Sequence, residues 1–271
     1  MKQINEFYIL SNQVKIPKLG LGTWQISNED VYQVTLDAFK AGYRHIDSAQ
    51  GYQNEKGVGQ ALIDSGLHRD EVFITTKLPS HIKGYQETLD SFEQTMKDLQ
   101  LEVLDLYLIH APWPWSEIGK DCTQGNIESF KAMIDLYNQG RIRSIGVSNF
   151  SVKDIQAIID ATGFVPHVNQ IRFYVSDTQD EIVKFCQDHN ILVEAYSPLA
   201  TGRILNNTQL QKIALDKGVT IAQLCIRYCL DKGTLPLPKT TKYFRMIENA
   251  QVDFSLSPKE LSVLDNLKIT K

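Results

Sequence analysis

Short apolar, β-branched runs alternate with amphipathic stretches along this chain from end to end. The short runs are Leu19–Leu21, His45–Asp47, Val72–Thr76, Leu104–Ile109, Ile142–Val147, Val168–Ile171, Leu192–Ala195 and Leu235–Leu237. Each has the length and composition of a buried strand. Helical periodicity follows in Glu29–Lys40, Tyr85–Leu99, Ile127–Asn138, Asp177–Asp188 and Ile221–Leu230. Ser151 and Thr220 are placed as helix N-caps, and Gly42, Gly66 and Gly140 stand where helices should end. Eight strand–helix alternations at about 34 residues each fit a (β/α)8 TIM barrel better than an open sheet. Before the first unit, Phe7–Leu10 and Val14–Ile16 flank Ser11-Asn12-Gln13, which predicts a β-hairpin closing the barrel bottom. An open dinucleotide-binding sheet would need a glycine-rich turn after its first strand. Gly20-Leu21-Gly22 and Gly57-Val58-Gly59 both lack the third glycine or alanine, and the second falls in a helical pattern.

Composition bounds the picture without redirecting it. Apolar residues make up 42% and charged residues 22%, enough for a large core. No linker, low-complexity tract or charge block interrupts the chain, so residues 1–271 are expected to form a single domain. A net charge of −4 gives no electrostatic reason to expect nucleic acid or an anionic membrane as partner. No apolar run approaches a membrane span, and the start Met1-Lys2-Gln3-Ile4 does not resemble a secretory signal. Four scattered cysteines suggest free thiols and a cytoplasmic protein. Cys225 and Cys229 lie one helical turn apart, where packing explains them better than metal. His45 and Asp47 share a strand face, but with only His110 as a third ligand no metal is expected.

In such a barrel, chemistry belongs at the C-terminal strand ends. The polar residues there are Thr23 with Trp24, Asp47, Lys77, His110, Ser148 with Asn149, Gln170, Tyr196 with Ser197, and Lys239, and Tyr52 stands just beyond Asp47. Singly, each has a structural explanation: a cap, an ion pair or a rim contact. Jointly, Asp47, Tyr52, Lys77 and His110 make a proton-donating set. A phenol titrates near 10, and a lysine ammonium beside it favours the phenolate. An aspartate would hold that ammonium, and a histidine would orient a carbonyl oxygen. Reducing the carbonyl also needs a hydride, which no side chain supplies, so a cofactor is implied.

These residues sit in stretches that resemble the aldo-keto reductase family over nearly the whole chain. The matching segments are Gly20-Leu21-Gly22-Thr23-Trp24, Tyr43–Ala49, Gly51-Tyr52-Gln53-Asn54-Glu55, Leu104–His110, Ile142–Phe150, Val168-Asn169-Gln170, Ala195–Leu199 and Pro238-Lys239-Thr240. The chain resembles the prokaryotic members that reduce diketogluconate or methylglyoxal. It implies Tyr52 as general acid, Lys77 lowering its pKa, Asp47 pairing with Lys77, and His110 orienting substrate. It implies NADPH across the mouth, with Ser148, Asn149 and Gln170 on the nicotinamide carboxamide and Tyr196 stacked on the ring. Thr23, Ser197 and Leu199 join this cofactor set. Lys239, Thr240 and Arg245 flank a helix start and suit the adenosine 2′-phosphate, with Glu248 and Asn249 toward adenine.

The substrate side departs from the family pattern. Trp24, His110 and Trp113 are expected to line it, and Trp115 either joins that apolar rim or serves in packing or exposed surface. The family's frequent His-Trp-Pro is replaced by His110-Ala111-Pro112-Trp113-Pro114-Trp115, its Trp-Asn after the lysine by Leu78-Pro79, and a common glycine by Ala200. Little chain follows Leu267, which suggests an open mouth for small polar aldehydes, dicarbonyls and ketones. The expected protein is a monomer acting on a small-molecule carbonyl. The alternatives are an NADP(H)-binding sensor or accessory subunit with little turnover, and a metal-dependent barrel hydrolase.

Overall fold

A computed structural model describes residues 5–267. Eight parallel strands form one sheet in sequence order: β3 (Leu21–Gly22), β4 (His45–Asp47), β5 (Phe73–Leu78), β6 (Leu104–Ile109), β7 (Ile142–Ser148), β8 (Val168–Arg172), β9 (Leu192–Tyr196) and β10 (Leu235–Leu237). The sheet curls until its first and last strands meet. There the Gly20 and Gly22 amides donate to the Pro236 and Pro238 carbonyls, each at 3.2 Å. The (β/α)8 barrel expected from the alternation is therefore present, and its polar strand ends face one mouth.

Helices α1 (Asn28–Lys40), α2 (Glu55–Asp64), α3 (Tyr85–Leu99), α4 (Thr123–Asn138), α5 (Val152–Thr162) and α6 (Asp180–Asp188) fill the successive crossovers. Both α7 (Thr208–Lys217) and α8 (Ile221–Asp231) lie between β9 and β10, and α9 (Tyr243–Ala250) and α10 (Pro258–Asp265) follow. Ser151 and Thr220 cap as expected, each in a reciprocal box, with Asp154 and Gln223 respectively. Gly42, Gly66 and Gly140 each follow the C-cap residue of their helix at positive φ (97°, 72° and 72°), where a side chain would be strained.

Several boundaries differ from the apolar pattern for local reasons. Helix α4 begins at Thr123 rather than Ile127, because Asp121 accepts from the Thr123 amide at 2.9 Å and starts a polar first turn. Helix α6 begins at Asp180 rather than Asp177. Asp177 is drawn into a bridge with Tyr174 and an ion pair with Arg172 at 2.7 Å. The first barrel strand is Leu21–Gly22, not Leu19–Leu21. Gly20 remains beside it, since a Cβ there would lie 2.6 Å from Leu237 Cδ2 and 2.7 Å from His45 Nδ1.

The N-terminal hairpin pairs β1 (Phe7–Ile9) with β2 (Lys15–Pro17). Its Leu10 and Ile16 are buried with Phe73, Leu106, Leu108, Val168, Leu235 and Leu237, the inward residues of the barrel. Asn12 reaches the Arg143 carbonyl at 2.9 Å and Tyr8 the Thr234 carbonyl at 3.3 Å, both at strand starts. The hairpin thus plugs the bottom and leaves the opposite end open. A second, larger apolar layer lies between barrel and helices, from Val31 and Phe39 round to Met246.

Candidate active site

Strand alternation decides which side chains enter the barrel. On β4 these are His45 and Asp47; on β5, Phe73, Thr75 and Lys77. Apolar residues occupy the lower interior, and polar ones accumulate toward the mouth. Lys77 is fully buried, with Nζ 2.8 Å from Asp47 Oδ1 and 2.7 Å from the Ser48 carbonyl. The same Asp47 oxygen accepts from Gln170 Nε2 at 2.8 Å. Burial pulls the Lys77 ammonium down, but Asp47, Tyr52 and Glu194 together outweigh it and hold the group above its ordinary value. It stays charged at neutral pH.

Tyr52 closes a single 3-10 turn, Gln50–Tyr52, between β4 and α2. That turn is tied to α3, where Gln50 and Ser91 exchange hydrogen bonds of 2.6 and 3.2 Å. Fully buried Asn54 anchors its far side, accepting from Ser48 Oγ at 2.7 Å and donating to the Thr23 and Ile26 carbonyls. The Tyr52 ring lies 5.1 Å from Lys77 Nζ and edge-on to His110 at 5.5 Å between centroids. All four residues expected to act together are therefore brought together.

The electrostatics refine the expectation for Tyr52. Burial raises its pKa, the Lys77 charge and hydrogen bond lower it, Asp47 raises it, and the balance lies above 10. The lysine pulls in the expected direction, but burial prevails. A proton donor must hold its proton until the reaction needs it, so this direction suits donation; Lys77 then favours phenolate as it forms. Burial, with Lys77 and Lys83, pushes His110 down to about 3, leaving a neutral imidazole.

The residues expected around a cofactor ring the same mouth. Ser148 Oγ donates to the Gln170 carbonyl at 2.9 Å. Asn149, at φ 61°, donates to the His110 carbonyl and to Ser148 Oγ, and its Oδ1 accepts from Tyr196 at 2.7 Å. Gln170 spends both amide hydrogens inward, on Asp47 and on Glu194, so its oxygen is the atom left for a ligand. Thr23 is fully buried with its hydroxyl on the Asp47 carbonyl at 3.0 Å, which ties the β3 and β4 ends together. Ser197 (φ 52°) and Leu199 lead into the irregular Ala200–Asn206 stretch. Beyond β10, Lys239 and Arg245 are exposed and lack a carboxylate partner among the described residues, while buried Thr240 accepts from the Lys242 amide at 3.1 Å. Glu248 accepts from Thr220 Oγ1 at 3.1 Å, and Asn249 is buried beside it in α9. A cation upstream of a helix and another in its first turn, neither paired with a carboxylate among the described residues, suit a phosphate, and a free amide oxygen beside a tyrosine ring suits a nicotinamide carboxamide.

The mouth is aromatic. Trp24 is 48% exposed and Trp115 46%. Trp115 packs edge-on against both His110 (5.8 Å) and Trp113 (4.9 Å), and its amide donates to Ser80 Oγ. Trp113 thus stands behind Trp115, which is the ring next to His110; sequence separation alone did not order them. One interior residue, Glu194, is absent from the polar strand ends read in the sequence, and His45 entered there only as a metal ligand. Glu194 and His45 are fully buried on inward faces below Asp47, and the pattern Leu192-Val193-Glu194-Ala195-Tyr196, a lone acid in a buried strand, was the available signal. Burial first, then Asp47, pushes Glu194 up to about 8, and burial with Lys77 pushes His45 down to about 3. No cluster of metal-ligating residues occurs among the described residues.

A parallel barrel with a buried lysine–aspartate pair under a tyrosine and a neutral histidine is the architecture of a carbonyl-directed oxidoreductase. Residues 18–269 match the model of the aldo/keto reductase family, and this chain belongs to that family. It is 40% identical over 260 residues to glyoxal reductase of Bacillus subtilis strain 168, covering 95% of this chain and 91% of the relative. The crystal structure of an aldo/keto reductase from Brucella melitensis superposes with a TM-score of 0.91 at 38% identity, covering 97% and 98% of the two chains. An aldo-keto reductase of Bombyx mori, crystallised in complex with NADP, gives a TM-score of 0.87 at 31% identity over 96% and 92%.

Proposed function

We propose that this chain is an NADPH-dependent carbonyl reductase whose proton donor is Tyr52. The carrying observation is the buried chain Asp47–Lys77–Tyr52, which ends at the mouth beside the neutral His110. NADPH, when bound, supplies the hydride. The neutral His110 imidazole donates a hydrogen bond to the carbonyl oxygen and fixes it near the Tyr52 hydroxyl. Tyr52 gives its proton to that oxygen as negative charge develops, and the fully buried Lys77 ammonium stabilises the resulting phenolate. Asp47 keeps that ammonium charged and aimed.

Gln170, through its free oxygen, with Ser148 and Asn149 would hold the nicotinamide carboxamide, and Tyr196 would offer its ring face. Ser197 and Leu199 would flank the dinucleotide, Lys239, Thr240 and Arg245 would hold the 2′-phosphate, and Glu248 with Asn249 would meet adenine. Trp24, Trp113 and Trp115 line the substrate side, which suits small polar aldehydes, dicarbonyls and ketones; the name of the Bacillus subtilis relative supports dicarbonyls. The protein acts as one domain and as a monomer. Its four cysteines are free, as a cytoplasmic protein requires.

Tyr52→Phe tests the assignment, because it removes the proton and little else. Reduction of a reactive aldehyde, followed by loss of NADPH absorbance, should fall about a hundred- to ten-thousand-fold with cofactor affinity retained. Undiminished turnover would refute the role.

A further inference from the structure

The barrel interior holds two carboxyl groups but one ammonium. Glu194, on β9 between inward Leu192 and Tyr196, is fully buried one layer below the Lys77–Asp47 pair. Gln170 Nε2 stands 2.8 Å from Asp47 Oδ1 and 2.8 Å from Glu194 Oε2, so one amide group braces both acids. The groups facing Glu194 are His45 and Asp47 from β4, Thr75 and Lys77 from β5, and Gln170 from β8. Lys77 spends its short contacts on Asp47 and the Ser48 carbonyl. His45 Nε2 is 2.9 Å from Thr75 Oγ1 but 3.9 Å from Glu194 Oε1, and that oxygen has no hydrogen-bond partner. Leu108, Leu235 and Leu237 belong to the apolar cluster inside the barrel, and a Cβ at Gly20 or Gly146 would meet Leu237 or Leu108 there.

Two carboxylates with a single nearby cation cannot both ionise cheaply in such an interior. Asp47 holds the ammonium, so the proton belongs on Glu194, whose orphan Oε1 is where it would sit. Burial and the Asp47 charge both act in that direction.

We propose that Glu194 is a positioning residue for the reduction: as a neutral acid it braces Gln170 against Asp47 and keeps the interior at one cation and one anion. When alkaline solution removes its proton, a second negative charge stands near Lys77, the phenolate of Tyr52 is disfavoured, and proton donation slows. This rests on Tyr52 as the donor.

The test is the pH profile of kcat/KM for reduction of a small dicarbonyl with NADPH, in the full-length wild type and in Glu194→Gln. The amide keeps the shape and the bond from Gln170 but cannot ionise. The alkaline fall of the wild type should move up by about one pH unit or more in the variant, and Glu194→Asp should restore it. An alkaline fall at the same pH in Glu194→Gln would overturn the proposal, since a merely structural brace does not titrate. Infrared difference spectra supply a readout that needs no turnover. Glu55→Gln, which removes a second acid that burial pushes up to about 7, should retain a protonated-carboxyl band at neutral pH that disappears on alkaline titration and is absent from Glu55→Gln combined with Glu194→Gln, while buried Asp105 stays paired with Arg69 and Arg143. Absence of that band overturns the proposal even if Glu194→Gln fails to fold. A wild type with no reductase activity would instead remove the assignment of Tyr52, leaving the band to decide the protonation of Glu194.

Discussion

Side chains at the mouth are placed by what they cannot avoid touching. Asn54 shows this at the residue scale: its amide meets Ser48, Thr23 and Ile26 at once, so the ends of β3 and β4 and the start of α2 are fixed together. Tyr52 stands on the turn between them. Gly20 is the complementary case, an empty position that His45 fills from the inside. Gly20→Ala would bring a methyl against Leu237 and the His45 ring, and should cost about 1–3 kcal/mol in denaturant unfolding through overpacking. An unchanged midpoint would mean that the His45 ring moves freely. Tyr52, Lys77, Asp47 and His110 could each be named from the sequence, because their residue types make sense only jointly. Trp115 could not be ranked above Trp113, because the order of two rings around a loop depends on its path.

At the scale of elements, most of the barrel's alternation was legible. Period-2 and period-3.6 patterns arise from which faces are buried, and burial is recorded in residue type. Boundaries were less so where polar contacts overrode apolar periodicity, as at Asp121 before α4 and Asp177 before α6. Helix α9 carries the cofactor-selecting proposal, since Arg245 lies in its first turn with Lys239 just upstream and neither has an acidic partner among the described residues. Arg245→Ala should raise the KM for NADPH about ten- to a hundred-fold, as loss of a charge-assisted bond implies. The KM for NADH should hardly move, and equal effects on both would rule out phosphate recognition by this helix.

For the whole molecule, buried titratable groups set how stability responds to pH. His45 and His110 are held down to about 3 and His167 to about 4, in each case chiefly by burial. Their depressed pKa values give stability that is present above the ordinary 6.5 and lost as pH falls. Glu55 and Glu194 are pushed up to about 7 and about 8, again chiefly by burial. Their contribution is full below the ordinary 4.5 and lost as pH rises through those values. Between 4.5 and 6.5 the three histidines outweigh Glu55 and Glu194, and from 6.5 to about 8 the raised acids, buried Asp105 among them, prevail. The melting temperature should therefore peak near about pH 6.5. In Glu55→Gln its alkaline decline should be shallower, and a melting temperature that keeps rising through pH 8 would contradict the assignment of these buried acids.

The sequence by itself determined the alternation of elements, the family and the four residues under the mouth, because each is written in local pattern and residue type. Only the tertiary structure decided how those residues share charge. It placed the one ammonium on Asp47 with a second carboxyl beneath, spent the Gln170 amide on both acids, and let burial outweigh Lys77 at Tyr52. Those outcomes depend on distances across the barrel and on the exclusion of water, and no spacing along a chain encodes either.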